Sequence, residues 1–315
     1  MSSKKNTVVG LGELLWDLFP AGKQLGGAPA NFAYITSLLG DEGIPASRLG
    51  EDALGAEAVR RLRELGLSTE FIQSDAHLPT GTVKVEVDHA GQPRFEIAQP
   101  VAWDFLDSTP QWQVLAQRAD AVCFGSLAQR SESSRITIRR FLLGTRANAV
   151  RVFDVNLRQN FYNAQVIAES MKLATVVKLN HEELTKIARL LELQDQREDD
   201  RGDRTEKTRR EEASARCLLS SYDLKLVCVT RGMNGSLLVS ADDRNEHPGF
   251  QVKVADTVGA GDAFTAALVH GYLRATPLAQ INENANRVGA WVASQPGATP
   301  APRPGGLEEN LADIA

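Results

Sequence analysis

The sequence predicts an α/β protein built on one doubly wound, mainly parallel sheet with helices on both faces, and three observations carry that expectation. Short apolar runs alternate with helical patterns along most of the chain, as they do in parallel α/β folds. The 315 residues, 43% hydrophobic and 24% charged, suffice for a large core without disulfides or metal. One segment, Thr80–Trp103, breaks the rhythm with period-two alternation, the mark of a small β element inserted in the domain.

In chain order, Thr7–Leu11 reads as the first strand and Glu13–Phe19 as a second. Ala30–Leu39 and Leu54–Leu65 read as helices; Leu62 and Leu65 share a face, and Gly66 closes the second helix. Within the inserted element, Thr82–Val87 and Arg94–Ile97 form a hairpin about the turn His89-Ala90-Gly91-Gln92. That hairpin is either an extra edge layer or a flap over a ligand crevice. Further strands are expected at Ala121–Phe124, Val150–Asp154, Thr175–Leu179, Lys225–Thr230 and Ser236–Val239, with helices at Ser131–Leu143 and Ala213–Leu219. Asp195–Glu212 has mixed charges and no apolar residue, so it is expected to be a solvated, replaceable loop or frayed helix. The Pro-, Gly- and Ala-rich tail after Pro296 reads as irregular.

Several function classes fall away at once. A formal charge of −5 offers no basic footprint for nucleic acid or anionic lipid. Met-Ser-Ser-Lys-Lys-Asn leads straight into a strand without a signal-peptide core, and no stretch approaches membrane-spanning length, so a cytoplasmic protein is expected. Cys123 and Cys228 lie in apolar runs and, with Cys217, fit free thiols in a reducing compartment. Gly10-Leu11-Gly12 has Leu15 where a dinucleotide fingerprint needs its third glycine, and no Walker A string, paired metal-binding histidines, C-x-x-C or Gly-x-Ser-x-Gly is present.

The strongest chemical signal is Asp256-Thr257-Val258-Gly259-Ala260-Gly261-Asp262, followed by the apolar run Ala263–Val269. Gly259 and Gly261 permit a tight turn whose backbone N–H groups converge at the positive end of the next helix, a cradle for an anion. Asp262 beside that cradle is placed to take a proton from an alcohol attacking a phosphoryl group. The bland alternative is an acidic residue that only complements the helix dipole. A second loop-to-helix junction, Leu25-Gly26-Gly27-Ala28-Pro29-Ala30-Asn31, lets a ligand approach the backbone; Asn31 is either a ligand contact or a local cap.

Together, in this order and some 230 residues apart, these two junctions resemble the signatures of the ribokinase-like, or PfkB-family, sugar kinases. The resemblance covers nearly the whole chain. It implies a three-layer α/β/α sandwich over residues 1–315 with a small β lid built from about 13–25 and 78–104. It implies that Asp262 is the catalytic base, that Gly259, Ala260 and Gly261 form the anion hole, and that Asp17, Gly27 and Asn31 bind sugar hydroxyls. Asn180 and Glu183 match the Asn-x-x-Glu element that organises Mg²⁺, through water at Glu183, and the nucleotide phosphates. Thr230 and Gly232 match the stretch along the phosphates and ribose, and Asn286 a position near adenine. Asp256 and the Thr257 carbonyl resemble one side of a monovalent-cation (K⁺) site.

Phe153-Asp154-Val155-Asn156-Leu157-Arg158, the Pro79–Val83 and Ala102–Asp104 stretches and Gly26–Asn31 look most like bacterial fructokinases. The expected activity is phosphoryl transfer from ATP to a sugar hydroxyl, fructose first. Arg158 serves either a sugar hydroxyl or the carboxylate of an acid sugar such as 2-keto-3-deoxygluconate. Ribokinase-type and nucleoside kinases, and a sugar-binding regulator without turnover, are the other readings. The charged Asp195–Glu212 insertion touches no matched position on this reading, and a homodimer through the lid is expected from the edges of a small exposed sheet.

Overall fold

Runs buried on both sides become central strands. Val8 packs into one apolar core while Val9 and Leu11 pack into the other, and all three are wholly buried, as a parallel strand covered on both faces requires. The computed structural model describes residues 5–20, 22–87, 93–193 and 204–314.

The main sheet contains nine strands: β1 (Thr7–Leu11), β4 (Glu42–Gly50), β5 (Ile72–Asp75), β8 (Ala121–Gly125), β9 (Val150–Asp154), β10 (Val176–Asn180), β11 (Leu226–Thr230), β12 (Ser236–Val239) and β13 (Arg244–His247). Their order is β13-β12-β11-β10-β9-β8-β1-β4-β5, with every pair parallel except β11–β12 and β12–β13, because β12 runs the other way. The chain leaves β1 for β4 and β5 on one side and fills the other side from β8 onward. Order therefore reverses between β1 and β8, where open α/β sheets bind ligands beyond the strand C-termini.

One face carries α1 (Ala28–Leu38), α2 (Ala53–Glu64), α8 (Ala260–Leu273), α9 (Leu278–Ala293) and α10 (Leu307–Ala312). The opposite face carries α3 (Pro110–Arg118), α4 (Glu132–Leu143), α5 (Ala164–Leu173), α6 (His181–Leu190) and α7 (Arg204–Tyr222). Helix α8 is apolar all round and buried from Ala263 to Val269, packed between α1 and α9, as a central rather than a surface helix must be.

A second sheet of four strands stands apart: β2 (Leu15–Phe19), β3 (Gly22–Gly26), β6 (Gly81–Val87) and β7 (Pro93–Ile97), in the order β3-β2-β6-β7. The hairpin read from the sequence is there, β6 against β7, while its turn at His89–Gln92 lies outside the described residues. It is not an edge layer of the main sheet but half of a separate one, because β2 pairs parallel with β6 and antiparallel with β3. The expected strand Glu13–Phe19 begins only at Leu15; Glu13 and Leu14 are buried in the approach to it.

Other departures have local causes. β4 was hidden by Pro45, which lies where β5 has not yet begun to pair, since that ladder starts at Ser47. The tail after Pro296 contains α10. Of the charged segment, Arg204–Glu212 forms the first turns of α7, the helical one of its two readings; residues 195–203 lie outside the described residues. This helix also touches a residue of the matched Thr230–Gly232 stretch, contrary to expectation. Arg231 Nη2 lies 2.6 Å from Glu211 Oε2, and its Nη1 lies 2.8 Å from Glu246 Oε1. A uniformly charged sequence can thus be ordered by ion pairs that only the fold supplies.

All three cysteines are free, with Cys123 and Cys228 buried as read. Among the described residues no helix is long and apolar enough to cross a membrane.

Candidate active site

The two glycine-rich junctions meet at the C-terminal ends of the central strands. Gly259, with φ 77°, is the N-cap of α8; a Cβ there would lie 2.5 Å from the Ala298 Cβ, so both conformation and space require glycine. The turn delivers Asp262 into the first turn of α8. Gly27, with φ 111°, caps α1, and a Cβ on it would lie 2.5 Å from the Glu13 carbonyl oxygen.

Asn31 does not serve as a local cap; its contact lies 231 residues away in sequence. Its Nδ2 donates to Asp262 Oδ2 at 2.8 Å, and no side-chain cap bond forms at the start of α1. Burial, followed by the nearby Asp154 carboxylate, pushes the Asp262 carboxyl up to about 6; the Asn31 bond and the Lys178 and Arg158 charges pull the other way. Asp17, on β2, is raised to about 6 by burial against the attraction of Arg158. A small cavity beside Asp262 is lined by Pro29, Phe32, Phe124, Gly125, Asp154 and Asn156.

Three charged residues of this cluster had no role assigned from sequence. Glu13 is buried just past β1, and its Oε2 has no hydrogen-bond partner among the described residues. Burial pushes its carboxyl up to about 7, with Asp262 and Asp154 adding to the rise and Arg158 opposing it. Asp154 and Lys178 form a buried pair, Nζ to Oδ1 at 3.1 Å. Signals existed for both: a carboxylate at the C-terminal end of a parallel strand, and a lysine inside the apolar run Val176–Leu179 that needs a counter-ion.

The Glu13 carboxyl gives a pH prediction. Its folded-state value lies above its ordinary 4.5, so the stability it contributes is complete below about 4.5 and lost as pH rises through about 7. Glu13→Gln is neutral throughout. Its melting temperature, measured by fluorimetry between pH 5 and pH 8 on the ligand-free protein, should gain on wild type toward pH 8. A difference that stays constant over that range would contradict the assignment.

Of the remaining candidates, Asn180 and Thr230 end strands β10 and β11, Glu183 lies in α6, Asn286 in α9 and Asp256 and Thr257 in the loop before α8, and several do more structural work than the sequence suggested. Asn180 and Glu183 form a reciprocal capping box on α6, and Glu183 Oε1 also accepts from the Leu157 N–H at 2.7 Å. Thr230 ends β11, and Gly232 adopts φ 58° in the turn after it. Asn286 does not point freely toward a ligand: its Nδ2 donates to Ser236 Oγ at 2.7 Å and to the Asn282 carbonyl at 2.8 Å. Asp256 accepts from the Val258 and Gly297 N–H groups, while the Thr257 carbonyl accepts from Ala260 N–H at 3.3 Å. Arg158 is exposed on the loop after β9. Among the described residues no three His, Cys, Asp or Glu side chains are grouped to hold a metal ion. With both Glu183 oxygens accepting backbone N–H groups, the donor set fits a Mg²⁺ ion arriving on nucleotide phosphates rather than a protein cage.

This fold and site define a class, the ribokinase-like sugar kinases. The profile of the PfkB family of carbohydrate kinases matches residues 17–304, and the chain belongs to that family. It is 29% identical to a putative sugar kinase of Pyrococcus horikoshii over 94% of this chain and 93% of that protein. It is also 29% identical to a fructokinase of Escherichia coli, over 92% of this chain and 94% of the other. The crystal structure of the Pyrococcus horikoshii sugar kinase in complex with ATP superposes with a TM-score of 0.78 at 26% identity, covering 99% of this chain and 100% of that one.

Proposed function

We propose that this PfkB-family kinase transfers the γ-phosphoryl group of ATP to a hydroxyl of a neutral ketose, with fructose giving fructose 6-phosphate as the leading substrate. One observation carries the catalytic part: Asn31, from the Gly26–Gly27 junction, holds the Asp262 carboxylate at the N-terminus of α8. The element that binds the sugar and the element that carries the base are thus one hydrogen-bonded unit. ATP as donor is supported by the ATP complex of the related Pyrococcus horikoshii enzyme.

In this reading Asp17, Gly27 and Asn31 orient the sugar, and Asp262 removes the proton of the attacking hydroxyl. The Gly259, Ala260 and Gly261 N–H groups face charge spreading on the phosphoryl oxygens. Asn180, Glu183, Thr230 and Gly232 border the nucleotide phosphates, and Asn286 braces the adenine side through the Ser236–Asn282 knot. Bound Mg²⁺ would neutralise phosphate charge, with Glu183 holding it through water, and K⁺ would sit beside Asp256 and the Thr257 carbonyl. The four-stranded sheet serves as a lid that excludes water, and its outer strands β3 and β7 leave edges for a homodimer contact. Free thiols and ATP dependence suit the cytoplasm.

Charge favours a neutral sugar over an acid one. The charge of Arg158 attracts Glu13, Asp17 and Asp262, so a substrate carboxylate would compete with three carboxylates of the chain for it. A substrate carboxylate would enter a cluster with surplus negative charge, and like-charge juxtaposition costs several kcal/mol. In a coupled assay kcat/KM for fructose should exceed that for 2-keto-3-deoxygluconate by about a hundredfold or more. A preference for the acid sugar would overturn the fructokinase reading. Absence of turnover with any sugar would overturn the kinase reading itself.

A further inference from the structure

The buried ion pair beneath the α8 turn has no role in the reaction as so far derived. Lys178 and Asp154 are 8% and 4% exposed, and Nζ lies 3.1 and 3.2 Å from the two Asp154 oxygens. They are direct neighbours in the β9–β10 register. Burying two charges is costly, and replacing such a pair by apolar residues is often neutral or stabilising. Fold stability alone therefore does not explain why two charges sit here.

Their surroundings do. Thr265 is wholly buried one turn into α8, and its Oγ lies 2.9 Å from Asp154 Oδ2 and 2.9 Å from the Gly261 carbonyl oxygen, two acceptors for its single proton. The Lys178 ammonium lies 3.1 Å from the point where a Cβ on Gly261 would stand. A chain of contacts thus runs from β10 through β9 and Thr265 to Gly261, the residue before Asp262. We propose that Asp154, Lys178 and Thr265 are positioning residues that hold the Gly259–Asp262 turn from beneath and balance the charge in which Asp262 works. This inference rests on the kinase reading for its purpose, but the charge balance it describes belongs to the folded chain alone.

The groups facing Asp262 come from every side. Asp154 stands on β9, Lys178 on β10 and Arg158 on the loop after β9; Asn31 reaches it from α1. Glu13, just past β1, and the Cys123 thiol of β8 also face it among the described residues. Asp154 repels a charge on Asp262 and Lys178 attracts it. Removing one partner at a time must therefore move Asp262 in opposite directions, which loss of packing would not do.

The test follows the titration of Asp262 by ¹³C NMR in full-length protein labelled at aspartate Cγ, with its signal identified by loss in Asp262→Asn. In Asp154→Asn, which keeps shape, the midpoint should fall by about one pH unit; in Lys178→Gln it should rise by about one. The acid limb of kcat/KM should follow the same two directions, with kcat lowered about a hundredfold where the turn is displaced. If Lys178→Gln does not fold, the double variant Asp154→Asn/Lys178→Gln replaces it: relative to Asp154→Asn alone, its midpoint must move back up. Unmoved midpoints, or shifts of one sign in both variants, overturn the proposal. Because the NMR midpoints need no turnover, a protein that phosphorylates no sugar would refute the kinase reading while still deciding this one.

Discussion

Asp262→Asn is expected to lower kcat by roughly 10²–10⁴, the usual contribution of a positioned general base. The substitution keeps the size of the side chain and a hydrogen-bonding oxygen for Asn31, whose Nδ2 now donates at 2.8 Å. On the proposed mechanism, what it removes is the capacity to accept the proton of the sugar hydroxyl. KM values should move much less, because an interaction made mainly in the transition state affects kcat and kcat/KM together. In wild type the same carboxyl, raised to about 6 by burial and Asp154, predicts activity that falls as pH drops through about 6, when the base becomes protonated. Steady-state kinetics with fructose and ATP measure both effects. If Asp262 merely complemented the helix dipole, the substitution would cost about 0.3–1 kcal/mol of stability and spare turnover. Near-normal kcat in a folded Asp262→Asn protein would end the catalytic assignment.

The largest stability effect is expected at Arg130. Its Nε and Nη2 donate to the two Asp104 oxygens at 2.8 Å each, and Nη2 also donates to the Ala98 carbonyl just past β7. The guanidinium lies 4.0 Å from the Trp103 ring centroid and 4.8 Å from that of Phe161, and both charged side chains are 5% exposed. Planarity is what allows pairing in the plane and stacking on its faces at once, so lysine would not replace it. Arg130→Met leaves the Asp104 carboxylate buried without its counter-ion, a change that costs about 3–5 kcal/mol. Urea unfolding should show that loss, and Asp104→Leu combined with Arg130→Met should recover most of it by removing the orphaned charge. A single variant as stable as wild type would mean the pair relaxes into solvent.

Gly259, Gly261 and Asp262 could be read because the demand on them is local: a left-handed φ, a helix start, a carboxylate in the first turn. The same holds for Gly27, and for strands such as Val150–Asp154 whose apolar runs are their own signal. Glu13 was not legible as a member of this cluster, because its surroundings come from other strands, and Lys178, whose place in an apolar run called for a counter-ion, did not show which one. Arg204–Glu212 misled for the same reason: its charges read as solvated until Arg231 and Glu246 were brought beside it.

The sequence by itself therefore determined the α/β class, the two glycine junctions and the residue types available for phosphoryl transfer, since periodicity, glycine conformation and helix-end electrostatics act over a few residues. Tertiary structure alone decided that Asn31 serves Asp262 rather than its own helix, that Asp154 neutralises Lys178 under Gly261, and that Asn286 is tied into Ser236 and Asn282. Those outcomes depend on strand order and on desolvation. A buried charge or amide must find a partner within about 3 Å, and which partner stands there is set by how the whole sheet is threaded.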